Sequence, residues 1–299
     1  MEYFQSYERP DVDGPVMLFA FSGWADAAES ATHALRYLVK RLGAKKFAAV
    51  DPEEFYNFTQ ARPHTGFDKQ GDRELTWPAN EFFAWKGQPA YSDVVIFLGT
   101  EPSLRWRTFC EQLVGVAKDL GVTKALQIGA LLDAVPHTRE PRITGTAMAP
   151  ELQDLLQGVE VRRSRYSGPT GITGVFGDAL RRSDIPCVSL WGHSPHYLHI
   201  APNPKVTLGL VKAVEQVLRV DIDVEPLRSQ ESSFDLRVAQ ALEDEPALNE
   251  YVKKLESQYD RRRGRSRSAA VEMPEPDEAV RDTEHFLRSL RGDTSAQGN

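Results

Sequence analysis

Cysteine is nearly absent: Cys110 and Cys187 are the only two in 299 residues. They fall in separate expected elements, which leaves no disulfide framework and no zinc knuckle, so both are read as small buried hydrophobes. Long apolar runs are missing as well. The purest, Val16 to Phe21, is far too short to span a bilayer. The opening stretch from Met1 to Pro10 lacks the basic-then-apolar pattern of a secretion signal. A cytoplasmic protein with no membrane partner is expected. There is no excess of positive charge; the formal net charge of -7 repels nucleic acid and anionic lipid at long range. Signature loops are lacking too. No Gly-Lys-Ser/Thr closes a phosphate loop, the glycine spacing does not match the dinucleotide fingerprint, and Ser194 has no Gly-x-Ser-x-Gly elbow around it. No internal repeat is evident.

What is present is an ordinary folding composition, 41% hydrophobic and 26% charged, which excludes global disorder. The length exceeds the usual domain of about 100 to 150 residues and suits one large core plus an appendage. Val16–Phe21 reads as a central strand buried on both faces. Apolar residues then recur at helical spacing from Trp24 to Leu42, with Gly43 as the stop. The same alternation returns in the strand Val94–Leu98, the helix Arg105–Leu120, the strands Lys124–Ile128 and Pro186–Trp191, and the helix Val206–Leu218. Repeated strand-helix alternation predicts a mostly parallel sheet with helices on both faces. Phe55–Gln60, Glu74–Trp77 and Phe82–Trp85 read as strands near an antiparallel edge, so the sheet is expected to be mixed.

Beyond Val224-Glu-Pro226 charged helical patterns take over. The expected division is a core over residues 1–225, a helical hairpin over 226–260, and a charged linker, short helix and disordered tail over 261–299. Phe234, Val238, Ala241 and Leu242 mark the first hairpin helix, and Pro246 opens the second. The hairpin packs either on its own core or on another subunit. Arg261 to Arg267 holds five arginines in seven residues and reads as a solvated linker, diluted by the acidic residues after it. Asp277–Leu290 suits a further short helix, and the residues from Gly292 onward a disordered end.

Candidate site residues gather where strands end. Ser22, Gly23, Trp24 and Asp26 lie between a central strand and a helix, the place where open α/β sheets bind ligands. The bland alternative has Ser22 capping the helix, Asp26 and Glu29 complementing its dipole, and Trp24 filling a hole. Arg139 sits on a loop after the Lys124 strand and would suit an anion, although exposed Arg and Thr loops are common. The stretch Tyr166 to Gly174, which includes Thr170, is glycine-rich and leads into a helix over Val175–Arg182, a possible anion cradle. His193, His196 and His199 are evenly spaced, but Pro195 breaks any helix that would align them, and no metal or other cofactor is expected.

Phe21-Ser-Gly-Trp-Ala-Asp-Ala27, Ile128-Gly-Ala-Leu-Leu-Asp-Ala-Val-Pro-His-Thr-Arg139, Gly168-Pro-Thr-Gly-Ile-Thr-Gly174 and Ser194-Pro-His-Tyr-Leu198 occur in order. Together they resemble the proteasome assembly chaperone 2 family, particularly its actinobacterial members, over about residues 10 to 260. The resemblance implies a three-layer α/β/α core of the phosphorylase/hydrolase-like kind, a C-terminal helical extension, and self-association, with a trimer as one candidate form. Members that act on proteasomes dock through a C-terminal hydrophobic-Tyr-any tail, whereas this chain reads Ser295-Ala-Gln-Gly-Asn299. The leading expectation is a homo-oligomeric, chaperone-like binding protein with itself and another protein as partners and no catalytic role. The alternative is a hydrolase or nucleoside-phosphorylase-type enzyme, which requires Asp26, Arg139, Thr170 and His196 to converge on one pocket. Nucleic-acid binding through the arginine run ranks last.

Overall fold

A computed structural model describes residues 3–147, 150–161, 167–243 and 245–266. The chain runs β1 (Phe4–Ser6), β2 (Val16–Ser22), α1 (Ser30–Leu42), β3 (Lys45–Val50), β4 (His64–Phe67), β5 (Arg73–Thr76), β6 (Glu81–Trp85) and β7 (Val94–Thr100). It continues through α2 (Trp106–Asp119), β8 (Lys124–Asp133), β9 (Ile143–Ala147), β10 (Glu160–Val161), α3 (Ile172–Arg181), β11 (Cys187–Pro195), α4 (Pro204–Leu218), α5 (Glu225–Glu243) and α6 (Pro246–Ser266). Nine strands join in one sheet, ordered β1-β3-β6-β7-β2-β8-β11-β9-β10. The central four, β7, β2, β8 and β11, are parallel, while β6, β3, β1 and β9 are bonded antiparallel to their inner neighbours. The expected mixed, mostly parallel three-layer sheet is therefore the fold.

Strand alternation sorts the core into two chemistries. Val16, Leu18 and Ala20 of β2 turn to one side, where they meet Ala31, Ala34 and Leu35 of α1 and Leu210, Val211 and Val214 of α4. Met17, Phe19 and Phe21 turn to the other, against Phe109 of α2 and Phe176 of α3. That second layer is knit edge-to-face: the Phe19 and Phe176 rings lie 4.8 Å apart, and Phe55 and Phe109 lie 5.1 Å apart. Both cysteines are buried, and burial pushes their thiols up to about 12, which leaves them as inert hydrophobes at neutral pH.

Several expectations are corrected. Phe55–Gln60 is a turn, because Phe55 and Tyr56 are both buried and the Phe55 carbonyl accepts from Ser103 and Leu104 N–H. Consecutive burial of that kind does not fit a one-sided strand. Glu74–Trp77 coincides with β5, but β5 belongs to a separate ribbon with β4 and not to the main sheet. Lys45–Val50 forms a strand that the exposed Lys45 and Lys46 concealed. Helix α1 starts at Ser30 and not at Trp24, since Gly23 adopts φ 122 and the chain turns through Ala28 and Glu29, both at φ 50, before helical geometry begins.

At the C-terminal side, Leu227 of α5 joins the aliphatic layer, and Phe234, Val238 and Leu242 pack with Leu198 of the core. The helices thus lie on their own chain. Helix α6 extends through Ser266, so the arginine run is helical over its described part where composition suggested a linker. Asp277–Leu290 and the end of the chain lie outside the described residues. No described helix is long and apolar enough to cross a membrane.

Candidate functional site

The parallel strands β7, β2, β8 and β11 end along one edge, the position at which α/β sheets present free backbone groups and loops. Most of the expected site residues are at this edge, but they separate into two environments.

Around the ends of β2 and β7 the surface is open. Ser22 Oγ donates to Thr100 Oγ1 at 3.3 Å and caps no helix. The cap of α1 is Asp26, whose Oδ1 accepts from the N–H of Ala31 at 2.7 Å and of Thr32 at 3.2 Å, while Oδ2 accepts from the Thr32 hydroxyl at 2.5 Å. Burial pushes the Asp26 carboxyl up, and the Thr32 and Ala31 bonds with the nearby Arg36 charge only partly oppose it. Trp24 fills no hole: it is 67% exposed. Leu104, after β7, and Leu132, near the end of β8, are also exposed. The expected anion cradle before α3 is already occupied by the chain itself. Glu101 accepts from Ile172 N–H at 2.9 Å, at the first turn of α3, and from Trp24 N–H at 3.3 Å. A Cβ on Gly171 would stand 2.9 Å from both Glu101 Oε1 and the Trp24 ring, so glycine is needed for this close approach. Thr170 is exposed beside it and makes one 3.5 Å contact to the Gly171 carbonyl.

Around the ends of β8, β9 and β11 the surface is closed by paired polar groups. His193 Nδ1 lies 2.8 Å from Asp133 Oδ2, and its Nε2 lies 3.0 Å from Thr144 Oγ1. Arg142 meets Asp133 at 3.4 Å and clasps Glu160 with two bonds of 2.9 and 3.0 Å. Burial works to raise the Asp133 carboxyl, but the His193 bond, the charges of His193 and Arg142, and the Ala134 N–H outweigh it and hold it below the usual range. The hydroxyl, imidazole and carboxylate stand in relay order, yet Thr144 is only 6% and His193 5% exposed, which makes this a buried brace between strands. Helix α6 lies over it. Arg139 clasps Asp260 at 3.0 and 2.9 Å and reaches Glu256 at 3.1 Å, Thr138 bonds Glu256, and Tyr259 donates to the Glu140 carbonyl at 2.9 Å. His196 spans the Asp133 carbonyl at 3.1 Å and the Tyr251 hydroxyl at 3.2 Å. A cavity bordered by His137, Arg139, Arg142, His193, Lys205 and Phe234 holds about 10 Å³, room for one water.

Asp26, Arg139, Thr170 and His196 therefore do not converge. Asp26 is committed to α1, Arg139 and His196 to α6, and Thr170 to an open loop. The three histidines also diverge: His193 is buried in a strand, His196 faces α6 and His199 is exposed. Among the described residues no group of three His, Cys, Asp or Glu side chains is placed to hold a metal ion. Sequence reasoning missed Glu101, Asp133 and strand β4, with which β5 pairs apart from the main sheet. The only local sign for the first two was an acidic residue at the end of a buried strand.

The scaffold is a three-layer α/β sheet whose edge is braced by paired polar groups on one half and leaves Trp24 and Leu104 exposed on the other. The chain belongs to the PAC2 family, whose model matches residues 20–242. A PAC2 family protein from Streptomyces avermitilis is similar at 36% identity and TM-score 0.72, over 80% of this chain and 99% of that one. A proteasome-assembly chaperone homologue from Mycobacterium tuberculosis is similar at 35% identity and TM-score 0.70, over 79% and 99%. PbaB of Pyrococcus furiosus, an archaeal proteasome activator, shares the fold at 22% identity and TM-score 0.65, over 80% and 98%. No curated protein matches the chain.

Proposed function

We propose that the protein is a non-catalytic, homo-oligomeric binding protein of the cytoplasm that acts on other proteins in chaperone fashion. Its working surface is the open half of the edge around Ser22, Gly23, Trp24 and Thr170. The observation that carries this reading is the exposure of Trp24 and Leu104 just beyond the neighbouring strands β2 and β7, with Leu132 also exposed near the end of β8, at the border of the closed half. Large apolar side chains left exposed at one sheet edge suit a protein contact. The name of the Mycobacterium tuberculosis relative, a proteasome-assembly chaperone homologue, supports the choice of partner: proteins under assembly, with unassembled proteasome subunits as the first to try. The hydrolase or phosphorylase alternative loses its supporting observation, because its four residues face different partners.

The test is light scattering on the purified protein from low to high micromolar concentration, followed by native mass spectrometry with purified, unassembled actinobacterial proteasome subunits. A discrete oligomer and a complex that disappears in a Trp24→Ser, Leu104→Ser, Leu132→Ser variant are expected. A monomer at every concentration that binds no subunit would overturn the proposal, as would turnover of an ester or nucleoside that Trp24→Ser leaves intact.

A further inference from the structure

Strands β4 and β5 pair with each other and with no other strand among the described residues, and all of their residues are exposed. A ribbon of two strands is only marginally stable in water. Its two sides differ. Thr65 faces Leu75 and Phe67 faces Arg73 on one side; His64 faces Thr76 and Gly66 faces Glu74 on the other. The first side carries Phe67 at 75% and Leu75 at 53% exposure.

The turn fixes which backbone groups are free. Asp68 N–H donates to the Asp72 carbonyl at 2.9 Å. Antiparallel ladders alternate, so the backbone of Gly66 and His64 points at β5 while that of Thr65 and Phe67 points outward. We propose that this outer edge of β4 pairs with the same edge of a second copy of the chain, antiparallel about a twofold axis through Gly66. Thr65 of each copy then exchanges two backbone bonds with Phe67 of the other, Gly66 meets Gly66, and His64 stands opposite Asp68. Side by side on the apolar face run Leu75 and Thr65 of one copy, then Phe67 of the other. Charge selects this edge over β5: the equivalent pairing of β5 sets Glu74 against Glu74, like charges directly opposite, where β4 sets an imidazole against a carboxylate. Sterics agree, since a Cβ on Gly66 meets nothing in its own chain. The inference rests on the self-association proposed above and names a surface for it.

A cysteine placed on the axis reads the pairing directly. Residues in such a non-hydrogen-bonded pair approach to about 4.5 Å between Cα atoms, inside the disulfide range of roughly 4.4 to 6.8 Å. Both native cysteines are buried and do not compete. Gly66→Cys in the full chain is expected to run mostly as a disulfide dimer on a non-reducing gel after mild oxidation, and Glu74→Cys as a monomer. Thr65→Pro with Phe67→Pro deletes the outward N–H groups and the two side chains beside them but keeps the N–H groups of His64 and Gly66 that face β5, so it should lower the mass in light scattering while the circular dichroism stays native. Absence of the Gly66→Cys link, a link through Glu74→Cys in its place, or an unchanged mass in the folded proline variant would overturn the pairing. If the unaltered protein is itself monomeric, the self-association reading fails too; if only the proline variant keeps its mass, this surface alone is wrong.

Discussion

Along a single sheet edge, the ends of β8, β9 and β11 are tied into ion pairs beneath α6, whereas the ends of β2 and β7 stand open around Trp24 and Leu104. Both halves begin from the same strand grammar. The difference lies in the residues at and just beyond each strand end: Asp133, Arg142 and His193 find partners within the chain, while Trp24, Leu104 and Leu132 find none that bury them. A closed polar network gives rigidity, and an open apolar surface gives something for another protein to cover. Glu101 belongs to the open half yet works locally, filling the anion seat of α3 and fixing the loop that carries Trp24.

The most damaging way to break this contrast is to remove the centre of the closed half. Asp133→Ala strips His193 of its carboxylate and leaves Arg142 only Glu160, so a loss of about 2 to 3 kcal/mol is expected in urea denaturation. Asp26→Ala, on the open half, removes the cap of α1 and should cost about 1 to 2 kcal/mol, with Asp26→Asn costing less because an amide oxygen still accepts from Ala31 and Thr32. The two carboxylates carry opposite pH signatures. Asp133 titrates below its ordinary 3.8 in the fold. It stabilises fully above that value, and the contribution is lost as pH falls through the folded value. Asp26 titrates above 3.8. Its ionisation costs the fold nothing at lower pH and a growing amount as pH rises from 3.8 through the folded value. Stability curves of Asp133→Asn and Asp26→Asn against pH, each subtracted from the unaltered protein, should therefore slope in opposite directions; parallel slopes would remove the distinction.

How much of this was visible in the sequence depends on the range of the interaction. β2 and β7 showed themselves because burial on both faces makes a continuous apolar run, as in Val16–Phe21 and Val94–Leu98. The start of α1 was hidden because Ala27 and Ala28 continue the helical spacing while Gly23 and the left-handed Ala28 and Glu29 turn the backbone away from it. Arg139 was singled out as an anion ligand, but its carboxylates come from α6, 121 residues along at Asp260. His193 and Asp133 meet only because β11 and β8 run parallel in one register. No local spacing encodes that pairing. On the open half the position of Trp24 two residues beyond β2 was legible, but its exposure was not, since a ring filling a hole in the core was the competing reading.

The clasp of α6 onto the closed half supplies a smaller effect. Arg139 and its partners Glu256 and Asp260 are at the surface, so the pairing is screened by salt. Arg139→Ala, or raising sodium chloride to about 1 M, should speed amide exchange along residues 251–260 and leave exchange in β2 and β7 unchanged. Equal acceleration in both regions would mean that α6 unfolds only with the core.

The smallest expected change in stability is the most informative about function. Trp24→Ser removes an indole that is 67% exposed and already in water, so it should move the denaturation midpoint by no more than about 0.5 kcal/mol equivalent. If the open half is where proteins bind, the same substitution should abolish the complex with proteasome subunits, and Leu132→Ser should weaken it. A folded Trp24→Ser protein that binds as before would transfer the function away from this edge, leaving the exposed indole as surface without a role. Stability and binding are decoupled at Trp24 because its ring contributes little to its own core, whereas at Asp133 any loss of binding would be confounded by loss of the fold.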